Sequence, residues 1–232
     1  MQDNYVVQWG DATQKKALPT GLVKVPQNDY VAPTPISWRE RWSKRVDQTL
    51  KAIEPELKPE ASMDQIASKW TIFRDAYALV IDHQNGWPIA ATDESAWPVH
   101  CYGMVGVGRD IPPDTGTGAE LYTVIGHAPR HLDRNIALVG RVISGIEHLS
   151  SLPRGTGALG FYEKPEERTG ITSIRLGTEV KDVPRFEYLS TESKSFAAYA
   201  DARANRRDPF FIVPAGGADI CNIPVPVRVV KP

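Results

Sequence analysis

The sequence predicts a mainly β protein carrying a helical insertion, on three observations. Gly and Pro supply 18 and 19 of the 232 residues, slightly above average usage, which favours short elements joined by turns over long helices. From residue 99 onward, short runs rich in Val, Ile, Leu and Tyr are separated by Gly- and Pro-bearing turns, as strands are. One longer stretch, residues 37–53, repeats its apolar residues at helical spacing between Pro-rich flanks.

In order along the chain, Tyr5-Val6-Val7-Gln8-Trp9-Gly10-Asp11 reads as a short apolar strand running into a Gly-Asp turn. Residues 12–36 carry Pro19, Pro26, Pro33 and Pro35 and read as loop, with a short strand at Leu22-Val23-Lys24-Val25. Ser37 followed by Glu40 forms a capping box, which satisfies orphan N–H groups at a helix start. Trp38, Trp42, Val46, Leu50 and Ile53 then form one apolar stripe, and Pro55 and Pro59 stop the helix. The stripe reads as a packed face that anchors the helix through Trp38 and Trp42, rather than as a ligand platform. A shorter helix is expected near residues 63–73, and Asn85-Gly86 signals a turn.

Residues 102–107, 121–125 and 136–142 are strand-like. Ile143, Ile146, Leu149 and Leu152 put a short amphipathic helix before Pro153. Ile171-Thr172-Ser173-Ile174-Arg175-Leu176 alternates as a further strand does. A polar, partly helical stretch, the run Phe210-Phe211-Ile212-Val213 and a Pro/Val-rich end that reads as an edge strand complete the chain.

Twenty-seven basic residues balance 28 acidic ones, for a formal net charge of −1. That balance excludes bulk nucleic-acid binding and global steering to an acidic membrane, leaving only local patches. The sequence lacks an apolar run near the roughly 20 residues of a membrane helix. The start, Met1-Gln2-Asp3-Asn4-Tyr5, has neither the basic nor the apolar region of a signal peptide. Two cysteines, Cys101 and Cys221, are too few for a disulfide framework or a four-ligand zinc site. They read as two buried, unpaired thiols, with a single bridge as the alternative.

His127 and His131 stand four apart, but Pro129 between them removes the helical face a zinc pair needs, so no metal is expected. The glycines from Gly103 to Gly108 do not match a dinucleotide fingerprint, and neither a nucleophile elbow nor a P-loop is present. Asp110, Asp114 and Asp133 read as turn caps. No acid–base or nucleophile set emerges, which suits a reaction that needs neither proton transfer nor a covalent step.

The ordered segments resemble cyclophilins, the peptidyl-prolyl cis-trans isomerases. Tyr102-Gly103-Met104-Val105-Gly106-Val107, then Gly118-Ala119-Glu120-Leu121-Tyr122, then His131-Leu132-Asp133 and Leu138-Val139-Gly140-Arg141-Val142 follow the order of the family's central blocks. Ser144-Gly145-Ile146-Glu147 looks like its helix start, residues 171–176 like its closing strand, and the opening segment like its F-x-x-Q-G-G-D. Gly126-His127-Ala128-Pro129-Arg130-His131-Leu132-Asp133 looks most like a divergent, long bacterial subgroup whose members are often exported.

The resemblance implies a cyclophilin-like antiparallel barrel over residues 1–180, with residues 12–98 as an insertion outside it and 181–232 as a C-terminal extension. The barrel is expected to be incomplete, with the family's first strands, first helix and catalytic arginine falling before Met1. Arg74 superficially resembles that arginine but stands in the wrong order relative to Gln8. Gln8 takes the catalytic position that holds substrate backbone. Tyr5, Met104, Val105, Gly106, Glu120, Tyr122, His131 and Leu132 take substrate-binding positions, and Gln8, Met104, Tyr122 and Leu132 are expected to line one concave pocket. Gly106 in place of an asparagine, Glu120 in place of a glutamine and His131 in place of a tryptophan are departures. The implied function is isomerisation of X-Pro bonds in protein folding; the alternative is a peptide-binding or chaperone module with weak or no catalysis. Proline-containing polypeptides are the implied partners of a monomer that needs no cofactor and binds no nucleic acid, and a periplasmic location is implied.

Overall fold

The structure, a computed structural model, describes residues 1–11, 15–53, 75–213, 215 and 217–230. Along the chain come β1 (Val6–Gly10), β2 (Ala32–Pro33), α1 (Ile36–Ile53), β3 (Val80–Gln84), β4 (Trp87–Ala91) and β5 (Ser95–Pro98). After them come β6 (Met104–Val107), β7 (Glu120–Val124), β8 (Leu138–Arg141), α2 (Ile146–Ser150), β9 (Phe186–Tyr188), α3 (Lys194–Ala204) and β10 (Val227–Val229). The protein is mainly β, with antiparallel sheets. No helix among the described residues is long and apolar enough to cross a membrane.

Two compact units result. The first comprises Met1–Tyr30, His100–Tyr188 and Pro226–Pro232, the second Val31–Val99 and Leu189–Val225. Of the stretch expected as an insertion, the part up to Tyr30 falls in the first unit and the part from Val31 in the second.

In the first unit an antiparallel sheet has the order β1-β7-β6-β8. Among the described residues it does not close into a barrel, and β1 and β8 are its edges. On one face Val107 and Ala137 pack with Tyr30, and Leu121 lies against them. Burying this apolar set holds the 3₁₀ turn Gln27–Tyr30 on the sheet. The Val-rich end of the chain forms an edge pair as expected, β10 with β9. The expected helix after Ile143 is shorter than its apolar spacing suggests, because Gly145 at φ 82° delays its start to Ile146.

Two expected strands do not form. Residues 22–25 are irregular, and residues 171–176 run without strand pairing, leaving Ile174 71% and Leu176 66% exposed. Alternation records a local preference, but a strand exists only in a hydrogen-bonded ladder, and none is built on this segment.

In the second unit the sheet order is β2-β5-β4-β3. The turn signal at Asn85-Gly86 is a two-residue hairpin connection between Gln84 and Trp87. Both residues have positive φ, 48° and 80°, which the right-handed twist of the flanking strands demands. The hairpin tip is tied down by side chains ahead of α3: Asn85 N–H donates to Glu192 and Gly86 N–H to Thr191. Ser193 caps α3 by accepting from Phe196 N–H at 3.0 Å.

The helix predicted from the Trp stripe is α1, beginning one residue before the expected Ser37 cap, with Pro35 C=O accepting from Trp38 N–H. Trp38 packs on Ala91 and Ala96 with Ile89 alongside, so it anchors α1 to this unit's own sheet. The Trp42 side chain, the helix expected near 63–73 and Arg74 lie outside what the structure describes.

Neither cysteine is a free thiol: Cys101 and Cys221 are both disulfide-bonded, which replaces the expected pair of unpaired thiols.

Candidate functional site

Strand register assembles the site in the first unit. Gln8 is the cross-strand partner of Tyr122, and Tyr122 that of Gly106, so the three form one row over β1, β7 and β6. Side chains alternate along strands, which puts Met104 one step along the same face and Glu120 one step the other way. Five predicted site residues therefore share a face: Gln8, Met104, Gly106, Glu120 and Tyr122. Val105 pairs with Thr123 and belongs to the opposite face.

At the exposed end of this face, Gln8 Nε2 donates to Glu120 Oε2 at 3.0 Å. Gly108 leaves room for the pair, since a Cβ there would lie 3.1 Å from Glu120 Cβ and 3.5 Å from Gln8 Nε2. At the other end, the ring of Tyr5 stacks on His131 with centroids 5.9 Å apart, and their polar tips, Tyr5 Oη and His131 Nε2, stand 3.1 Å apart. Burial pushes the Tyr5 hydroxyl pKa up. Leu132, half-buried, follows His131 in the 3₁₀ turn Arg130–Leu132.

Tyr122 occupies the centre but is only 5% exposed. Its ring covers Gly106, where any Cβ would collide with it. Its hydroxyl lies 2.8 Å from His100 Nε2, and His100 Nδ1 lies 2.9 Å from Asp133 Oδ1. The other carboxylate oxygen, Asp133 Oδ2, accepts from Arg130 Nε at 2.8 Å. A carboxylate only accepts, so His100 donates from Nδ1 to Asp133.

Burial pulls the Asp133 carboxyl pKa upward, but hydrogen bonds from His100 and Arg130 outweigh that and hold it below its usual range. Burial, chiefly, drives the Tyr122 hydroxyl well above an ordinary phenol, with Tyr5 and Asp133 adding and Arg109 opposing. Arg109 is held by its own donors: Nε and Nη2 to Asn135 C=O, and Nη1 to Asp110 C=O.

Asp133, expected as a turn cap, is instead the buried hub of this network. His100 and Arg130 were not singled out from sequence; the only local trace was the three-residue spacing of Arg130 and Asp133. Asp110 and Asp114 do serve turns, accepting from Ile111 N–H and Asp110 N–H respectively. Asp114 also takes Lys24 Nζ at 2.8 Å, and that hydrogen bond, the largest cause, holds its carboxyl down at about 2. An open depression in this unit is lined by Lys24, Asp110, Ile111, Pro113 and Asp114, and the predicted site residues lie outside that lining. Of the residues expected to line a concave pocket, Met104 and Tyr122 are buried.

No family model matches the chain, and no curated protein matches it. Among solved structures, the chain is similar to the cyclophilin AquaCyp293 from Hirschia baltica, with a TM-score of 0.56 and 19% identity. The match covers 98% of this chain and 73% of that one. The likeness, together with the antiparallel sheet that gathers Gln8, Gly106 and Tyr122 in one row, shows that this chain has a cyclophilin-type fold.

Proposed function

We propose that the chain is a peptidyl-prolyl cis-trans isomerase acting on X-Pro bonds of protein substrates in folding. The observation that carries this reading is the cross-strand row Gln8, Tyr122, Gly106, found in a cyclophilin-type fold. An X-Pro bond turns slowly because its C–N bond has partial double-bond character. Catalysis requires only that the twisted, less conjugated amide be bound better than either planar form.

Gln8, exposed beside Glu120, presents an amide to the substrate backbone. Leu132 and the Tyr5–His131 stack offer apolar surface to the proline ring. Met104 and Tyr122 stiffen the floor beneath. A positive donor aimed at the prolyl nitrogen stabilises the twisted state by about 3 kcal/mol, roughly 10²-fold in rate. Arg109, whose charge is felt at the Tyr122 hydroxyl and whose Nε, Nη1 and Nη2 donate to the Asn135 and Asp110 carbonyls, is the guanidinium to test for this role.

The test is exchange of a short Xaa-Pro peptide followed by magnetisation-transfer NMR, with Gln8→Ala and Arg109→Ala as comparisons. Accelerated exchange, reduced roughly tenfold or more in the variants, supports the reading; exchange at the uncatalysed rate refutes it. Burial of Tyr122 and the missing side chain at Gly106 favour the second reading, a proline-peptide-binding or chaperone module with weak catalysis. Peptide binding and suppressed aggregation without acceleration would decide for it. The two oxidised cysteines support a periplasmic location, since disulfides persist in oxidising compartments.

A further inference from the structure

Beyond α3 the second unit carries a loop whose apolar side chains project into solvent. Phe210 is 84%, Ile212 97% and Val213 79% exposed. The loop is nonetheless built. Phe211 N–H closes a turn onto Asp208 C=O at 3.1 Å, with Pro209 in the position that suits its fixed φ. Arg206 covers the Phe211 ring at 4.7 Å, and the Phe210 and Phe211 rings meet edge to face at 5.2 Å.

Arg206 and Arg207 stand at the base of the apolar tip. Their present partners are exposed carboxylates, Asp208 at 3.2 Å and Asp201 at 3.4 Å. Exposed ion pairs of this kind are weak, so an incoming anion displaces them readily.

We infer that residues 206–213 form an interfacial anchor that docks the second unit on an anionic lipid surface. Phe210, Ile212 and Val213 enter the boundary between headgroups and acyl chains, while Arg206 and Arg207 pair with lipid phosphates. Two features favour a bilayer over a protein. Side chains exposed to this degree need a partner that yields around them, and lipid does so without a preformed cavity. Arginines directly beside aromatic and aliphatic residues match the layering of charge over hydrocarbon at a membrane interface. The overall charge of −1 does not oppose this, because the attraction is local and acts within a Debye length.

The test is cosedimentation of the full chain with vesicles of phosphatidylcholine alone and of phosphatidylcholine mixed with phosphatidylglycerol. Binding to the mixed vesicles, weakened by salt and weaker on the neutral ones, is expected. Phe210→Ser with Ile212→Ser should lower partitioning roughly tenfold per side chain. Arg206→Gln with Arg207→Gln should lower it about fivefold per charge, and on the anionic vesicles only. All four positions are exposed, so thermal unfolding should stay unchanged and a loss of binding is not a loss of fold. Phe210→Trp should add blue-shifted emission when mixed vesicles are present. Absence of binding to mixed vesicles at low salt overturns the inference, as does binding that both double variants leave intact, or added emission that does not shift. Self-association abolished by the serine variant, without vesicle binding, would reassign the loop as a contact between copies.

Discussion

The two units solve the same problem, fixing a four-stranded antiparallel sheet, by opposite means. In the sheet of the second unit three strands are neighbours in sequence, β3, β4 and β5, with the two-residue β2 joining β5 from farther upstream, and Trp38 seals it through contacts with Ala91 and Ala96. The first unit draws β1 from the start of the chain to pair with β7, more than a hundred residues on, and buries a charged network at its site. Apolar contacts are indifferent to pH and forgiving of geometry. A buried carboxylate with two partners is neither, and such networks fix one arrangement at a cost in tolerance.

The largest effects should separate these modes. Trp38→Ala is expected to cost about 3–5 kcal/mol by leaving a cavity, and Asp133→Ala about 3–5 kcal/mol by removing the buried carboxylate that pairs with Arg130 and His100. Urea unfolding at several pH values distinguishes them. The Asp133 carboxyl is depressed in the fold, so its contribution is full above the unfolded carboxylate value near 4 and is lost as pH falls through the lower folded value. The parent and Trp38→Ala should therefore share an acid-side slope that Asp133→Asn flattens. Equal slopes in all three would break the contrast.

A middle-sized test concerns Gly106→Ala, which forces the Tyr122 ring aside. Overpacking of about 1–3 kcal/mol is expected, with loss of X-Pro exchange activity if the proposed site is right; unchanged stability would show that the ring moves freely. Gly86→Ala in the hairpin should cost roughly 1–2 kcal/mol through its positive φ. The smallest effect is expected from Trp38→Phe. It removes a buried indole N–H that has no hydrogen-bond partner among the described residues, so the loss of packing is offset and stability should stay within about 1 kcal/mol of the parent.

The contrast also explains what could be read in advance. Asn85-Gly86 was legible because its requirement is local: two positive φ values between two strands. The runs that became β1, β6, β7 and β8 were legible as apolar segments, and the row Gln8, Tyr122, Gly106 followed from their resemblance. The network was not, since His100 and Asp133 lie 33 residues apart and a buried His–Asp pair leaves no periodic mark. Val105 was assigned to the site from its place in the family's block, yet strand alternation turns it to the face opposite Gly106. At residues 171–176 the alternating pattern was read as a paired strand and no pairing is made, because pairing depends on a partner that composition does not reveal.

That last segment carries a consequence of another kind. Ile171, Ile174 and Leu176 are 52%, 71% and 66% exposed on an unpaired stretch with strand-forming alternation. Substitutions there have little to disturb in the fold, so they register in the colloidal behaviour of the protein rather than in its melting. Arg175 interrupts the apolar run and acts as a gatekeeper against strand-to-strand stacking of molecules. Its constraint is one of concentration. An Arg175→Val chain should fold as well as its parent when dilute and precipitate from a more crowded solution.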